Sequence, residues 1–257
     1  MKLRTTAIVN LKGGVAKSTS AINMAAILAK EHGKRVLIVD ADSQCNTSEF
    51  FGADPKRGNL AEVLRDADMN EDPGEFAATF IQPTSFPGID ILAGDDSLMD
   101  LDLSKVEQQT VNANVLRCMV EEIRSLYDYV IVDCPPAFNA ASAAALIAAD
   151  DVIIPIKLDA FSLRGMVNLM RQIQNMRLIN PKLNIAGILP TMWYKDPEIE
   201  DAEQQLRKAG LHVFPHIRRS DKVDKMTFRQ EPLLVSSPKS AAGKDYRNFV
   251  KEFVGGK

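Results

Sequence analysis

Ten residues, Asn10-Leu11-Lys12-Gly13-Gly14-Val15-Ala16-Lys17-Ser18-Thr19, constrain this chain more than any other stretch. An apolar, strand-like run, Ala7-Ile8-Val9, precedes them, and a helix-like segment from Ser18 to Lys30 follows. In a strand, a turn of small residues and a helix, several backbone N–H groups converge on one point. The positive end of the helix dipole is aimed at the same point. That arrangement suits a polyphosphate. The competing reading is a glycine-containing turn with a solubilising lysine. It accounts for neither the flanking elements nor the Lys-Ser ending. In the phosphate-loop reading, Gly13, Gly14, Val15, Ala16, Lys17, Ser18 and Thr19 form the cradle. Lys17 reaches the β- and γ-phosphates of ATP, and the Ser18 hydroxyl binds Mg²⁺. Ala16 occupies a position where the usual pattern has glycine. If the backbone there is left-handed, alanine costs about 1 kcal/mol, which bears on turnover more than on binding.

Further apolar runs at Val36 to Val39, Val130 to Val132, Val152 to Ile154 and Ile185 to Leu189 read as strands covered on both faces. Helical patterns lie between and beyond them, at Val111 to Leu126, Ala140 to Ala149, Leu163 to Arg177 and Glu198 to Ala209. Strand and helix in alternation predict an α/β fold with a doubly wound, mostly parallel sheet. The 257 residues, 46% hydrophobic and 25% charged, suit a single domain over 1–257 with an ample core. Residues 52–94 carry four prolines and short runs at Phe80-Ile81 and Ile89 to Leu92. They read as an irregular insertion of small helices and edge structure. A final helix over Ser240 to Val254 places Tyr246, Phe249, Val250 and Phe253 on one face, as for docking on the core.

The formal net charge of -3 excludes bulk attraction to nucleic acid or anionic lipid, so any DNA contact needs a local basic patch. Three cysteines without a C-x-x-C pair argue against disulfides or zinc, and for a reducing cytosol. No cleavable leader and no spanning apolar run is expected.

Two aspartates end strand-like runs, where ligands bind in open α/β sheets. Asp133 closes Tyr129-Val130-Ile131-Val132 in the manner of a Walker-B element, holding Mg²⁺ through water. Asp40 follows Val36 to Val39 and either supports the Mg²⁺ shell or caps the turn.

The lysine pair in Lys12-Gly13-Gly14-x-x-Lys17-Ser18 resembles the deviant Walker-A signature of the ParA and MinD group of ATPases. Asp40-Ala41-Asp42-Ser43-Gln44-Cys45-Asn46 is similar to that group's D-x-D-P-Q-G-N segment, with Ser43 for proline and Cys45 for glycine. The resemblance extends from Ala7 to Phe253 and is strongest to the short form of the ParA DNA-partitioning ATPases. It implies a homodimer that sandwiches ATP, with Lys12 reaching the partner's phosphates. It also implies that Asp42 orients the attacking water and that Pro135 and Pro136 form a switch. Met192 and the run Ile217, Arg218, Arg219 match segments flanking the adenine. Arg164, Arg171, Arg218, Arg219, Lys222, Lys225 and Arg229 are candidates for sequence-independent DNA contact. The implied partner is a ParB-like centromere-binding protein that stimulates hydrolysis, and the implied location is cytoplasmic, on the nucleoid. Three other readings are a membrane-surface ATPase like MinD, an iron–sulfur ATPase like the nitrogenase iron protein, and a scaffold with little hydrolysis. The first lacks a basic amphipathic tail and the second lacks cluster cysteines in context. Ala16 sustains the third.

Overall fold

Alternate residues of each central strand point to opposite faces, and in this chain both sets are apolar. Ala7, Leu37, Val39, Val130, Val132, Val152 and Ile154 enter one buried cluster, while Ile8, Val36, Ile38, Tyr129, Ile131 and Ile153 enter another. A sheet with two apolar faces must be covered on both sides. The computed structural model, which describes residues 2–66 and 71–256, has that architecture. The expected single domain over 1–257 takes in residues 1, 67–70 and 257, which lie outside the described residues.

Seven strands form the sheet: β1 (Arg4–Ile8), β2 (Val36–Asp40), β3 (Gln82–Pro83), β4 (Ile89–Leu92), β5 (Tyr129–Asp133), β6 (Asp151–Lys157) and β7 (Asn184–Thr191). Their order is β3-β4-β2-β5-β1-β6-β7, and only β3 runs antiparallel to its neighbour. On one face pack α3 (Leu60–Asp66), α4 (Pro73–Ala78), α6 (Val115–Glu122), α7 (Ala140–Ala148) and α8 (Ala160–Met176). The other face carries α1 (Lys17–His32), α2 (Asn46–Phe51), α10 (Asp221–Arg229), α11 (Leu233–Ser236) and α12 (Ala241–Gly255). The other α-helices among the described residues are α5 (Leu103–Glu107) and α9 (Pro197–Lys208), the latter over a small cluster around Ile156, Ile188 and Val213.

Register decides where the chemistry falls. Ile8 and Asp40 each align with Asp133 across the ladder, so three central strands end level. The loop after β1 and both aspartates therefore share one rim of the sheet.

Some elements differ from the sequence expectation. The helix expected over Val111 to Leu126 is shorter, α6 ending at Glu122 in a 3-10 turn over Ile123–Ser125. Phe80-Ile81 is a turn, and the strand begins at Gln82. Within 52–94, β4 pairs with β2 and its outer neighbour β3 forms the edge. Past β7, residues 212–219 run beside that strand through two isolated bridges, Ile188 to Val213 and Trp193 to Arg218.

Candidate active site

Residues 9–16 leave the sheet as an irregular loop and α1 begins at Lys17. Neighbouring elements pin the loop. The Asn10 amide donates to the Pro155 carbonyl (2.7 Å) and its oxygen accepts from Lys12 N–H (2.9 Å). The Thr191 hydroxyl donates to the Val15 carbonyl (3.1 Å). Gly14 and Ala16 both adopt left-handed backbone, with φ of 69° and 63°. The strained conformation anticipated for Ala16 is thus present, at the residue that caps α1.

Lys17 is 6% exposed, and its ammonium donates to the Lys12 carbonyl (3.2 Å). Burial pushes its pKa down, while Asp133, Asp42 and Cys134 oppose the shift. Asp133 is fully buried. Burial raises its pKa, and the hydroxyls of Ser18 and Thr47 and the charge of Lys17 pull the other way. The Thr47 hydroxyl donates to Asp133 Oδ2 (2.7 Å), whereas Oδ1 is buried and has no hydrogen-bond partner among the described residues. A buried carboxylate oxygen left without a partner is costly. A cation or its bound water would satisfy it, so Ser18 and Asp133 fit the Mg²⁺ of a nucleotide complex. Among the described residues no cluster of three or more His, Cys, Asp or Glu side chains forms a separate metal cage.

Asp40 is hydrogen-bonded into the turn after β2. Its Oδ2 accepts from Ser48 N–H and hydroxyl (2.7 Å each), and Oδ1 accepts from Asp42 N–H (3.2 Å). It anchors the turn that leads into α2. Burial, then the neighbouring Asp133, raises its pKa. Asp42 sits two residues on, 6% exposed, and accepts from Gln44 N–H (3.1 Å). Cys45 caps α2 with φ 53°, so this second departure from glycine also falls on left-handed backbone. Burial, followed by surrounding aspartates, pushes its thiol up to about 12. Burial also raises Cys134, and neither thiol is poised to react.

These groups meet in a cleft of about 570 Å³. Its walls include Gly13, Gly14, Ala16, Lys17, Ser18 and Thr19 from the loop and α1, Asp42 after β2, and Pro136 after β5. Ile22, Phe50, Thr227, Phe228 and Gln230 also line it. Gln230 donates to the Glu49 carbonyl (3.1 Å), which ties the end of α10 to α2.

Lys12 lies beside the cleft. Its ammonium bonds both oxygens of Asp159 and the Ser162 hydroxyl, each at 2.9 Å. Partial burial would raise the Asp159 carboxyl, but hydrogen bonds from Lys12 and Ser162 outweigh it and hold it at about 2. Asp159 also caps α8 through Ser162 N–H (2.8 Å). The Asp-x-x-Ser spacing before an apolar-periodic segment was a visible capping signal; its pairing with Lys12, 147 residues away, was not.

The adenine candidates lie outside the cleft walls. Ile217 is 3% exposed, and Arg218 is clamped by Asp245 through two side-chain bonds of 2.7 and 2.8 Å. Met192 has φ 52° and Arg219 is exposed. Of the DNA candidates, Lys222 and Lys225 pair with Asp221, Arg164 lies over the Phe161 ring, and Arg171 bonds Asn168. Arg219 and Arg229 carry exposed guanidinium groups with no side-chain partner among the described residues.

A family model described as an AAA domain matches residues 3–185. The chain is 34% identical over 260 residues to the chromosome partitioning protein ParA of Caulobacter vibrioides, covering 98% of this chain and 94% of that protein. The chain belongs to the ParA family of P-loop ATPases. The sporulation initiation inhibitor protein Soj of Bacillus subtilis is 30% identical, with 96% of each chain covered. A solved complex of ATP with a variant of McdA from Cyanothece shares the fold, with a TM-score of 0.84 at 23% identity over 98% of this chain and 96% of that one. Within the ParA pattern this chain keeps both loop lysines, while Ala16 and Cys45 stand where glycine is expected.

Proposed function

We propose that this ParA-family chain is an ATP-dependent partitioning ATPase that closes into a dimer around ATP and Mg²⁺ and then holds DNA without sequence preference. The reading rests on one observation above all: Lys17, Ser18 and Asp42 line a single cleft at the level ends of β1, β2 and β5, and the buried Asp133 interacts with Lys17 and Ser18. The names of the ParA and Soj relatives supply the partitioning context.

In this reading, backbone N–H groups from Gly13 to Thr19 and the buried Lys17 ammonium receive the phosphates. Ser18, and Asp133 through water, would hold Mg²⁺, which would supply neutralisation of phosphate charge. Asp42 orients the attacking water from the rim. Lys12 leaves Asp159 and enters the partner's site, where a second cation stabilises charge on the transferred group. Pro135 and Pro136 couple that event to the loop after β5. A ParB-like partner stimulates a slow basal reaction. Arg219 and Arg229 are the leading DNA contacts, with Arg164 and Arg171 behind them; Lys222, Lys225 and Arg218 are already paired with acids. Nucleoid association in the cytoplasm follows from DNA binding. A membrane-surface role is disfavoured because α12 buries Tyr246, Phe249, Val250 and Phe253 in the core, leaving no such stripe for a bilayer.

The test is retention of random-sequence duplex DNA with ATP, ADP or no nucleotide, at two salt concentrations. Retention in ATP alone, weakening as salt rises, is the expected result. Equal retention in all three states would remove the nucleotide-gated DNA reading.

A further inference from the structure

At the pole opposite the ATP cleft, where the strands begin, lies a second cleft of about 580 Å³. Leu3 before β1, Val120 on α6, and Ile147 and Ala148 at the end of α7 give it an apolar floor. Lys2, Arg117, Arg124 and Lys182 stand around that floor, against Glu121 and Asp150. Asp150 is partly engaged already, its Oδ2 accepting from Thr5 N–H (2.9 Å). Lys2, Arg124 and Lys182 are exposed and have no ion-pair partner among the described residues. In a chain of net charge -3, this is a local surplus of positive charge.

The rim continues into exposed apolar side chains. Leu178 is 85% exposed and Ile179 is 55% exposed, immediately before the lining residue Asn180. Their loop is fastened at both ends. Arg177 donates to the Leu183 carbonyl (2.9 Å), and the Asn180 amide donates to the carbonyls of Leu146 (3.0 Å) and Ala149 (2.7 Å). A held loop displaying two aliphatic side chains beside an apolar floor is a pre-formed contact surface.

We infer that this cleft docks an acidic, amphipathic peptide segment of a partner protein. Its aliphatic side chains meet Val120, Leu178 and Ile179, and its carboxylates meet Lys2, Arg124 and Lys182. Charge complementarity selects the partner's sign, and the apolar floor selects peptide over nucleic acid. A phosphate backbone gains nothing from Leu178 and Ile179. The inference does not depend on how the ATP cleft works, because no lining residue is shared between the two clefts.

The probe is a fluorescent synthetic peptide of alternating Glu and Leu, compared with Gln/Leu and Lys/Leu counterparts on the full chain. Binding is read by anisotropy, and amide chemical-shift changes locate it. The Glu/Leu peptide is expected to bind best, with shifts at Lys2, Val120, Ile147 and Lys182. Paired Arg124→Glu and Lys182→Glu should weaken it by at least about tenfold while ATP affinity is unchanged. Paired Leu178→Ser and Ile179→Ser should weaken it with the charge intact. Equal binding of the Gln/Leu peptide, or full affinity in the charge-reversed variant, would overturn the proposal. So would displacement of the peptide from these amides by random-sequence duplex DNA, which would mark a phosphate surface.

Discussion

At Ala16 a Cβ is held on left-handed backbone, φ 63°, in the turn that would curl around phosphate. Such a conformation costs an L-residue about 1–2 kcal/mol, and glycine avoids it at a folding-entropy cost of about 0.5–1 kcal/mol. The difference favours glycine, so Ala16→Gly should raise the unfolding free energy of the ligand-free chain by about 0.5–1 kcal/mol. Urea denaturation measures this, and a lower midpoint at an unchanged slope would refute the strain. Lys17 makes a sharper case. Its ammonium is mostly buried beside Asp133 and Asp42 and, among the described residues, donates to one carbonyl, so it can make further hydrogen bonds. Phosphate oxygens would supply them. Lys17→Ala should abolish ATP binding in calorimetry with Mg²⁺ while the fold survives, since it removes a buried charge and no core packing. Unchanged ATP affinity would take the loop out of the site.

The elements were legible wherever one periodicity dominated. β2 and β5 are continuous apolar runs ending in aspartate, and both formed where the pattern put them. α12 is another such case. Tyr246, Phe249, Val250 and Phe253 recur at helical spacing and are all at most 3% exposed, against α1 and the edge around Phe214. Phe249→Ala should therefore cost about 3–5 kcal/mol of stability, measured by thermal or chemical unfolding. A loss under about 1 kcal/mol would mean that α12 is not part of the core. Legibility failed where local and long-range signals diverged. The pattern over Val111 to Leu126 looks continuous, yet Asn114 caps the helix start and a 3-10 turn finishes it, while α6 packs against both α4 and α7. The pairings that set up the site cross the chain: Thr47 with Asp133, Thr191 with Val15, Lys12 with Asp159. None leaves a local period. For the adenine and DNA candidates, the surroundings were not legible for a related reason. A basic residue in sequence says nothing of the acid that meets it in space, as Asp245 meets Arg218.

At the scale of the whole molecule, the proposed function needs two chains that share ATP. In that proposal Lys12 is the lever. In the single chain it is held by Asp159, but both side chains remain partly exposed, at 37% and 27%. An ion pair of that kind is worth at most about 1 kcal/mol. In the proposed dimer, a charge-assisted bond to phosphate in a water-poor interface would be stronger, so exchange of Asp159 for the partner's phosphate would run downhill. The two lysines should therefore separate in experiment. Lys12→Ala should keep monomeric ATP binding, because its ammonium lies outside the cleft walls, and lose ATP-dependent dimerisation in light scattering. Asp42→Ala should do the reverse, assembling with ATP and persisting as a dimer because the attacking water has lost its guide. Asp159→Ala removes the restraint on Lys12, so its dimer should form at lower ATP than that of the unaltered chain, with ATP affinity of the monomer unchanged. If Lys12→Ala dimerises normally, or Asp159→Ala needs more ATP, then the lysine serves its own subunit and the shared-site reading is wrong.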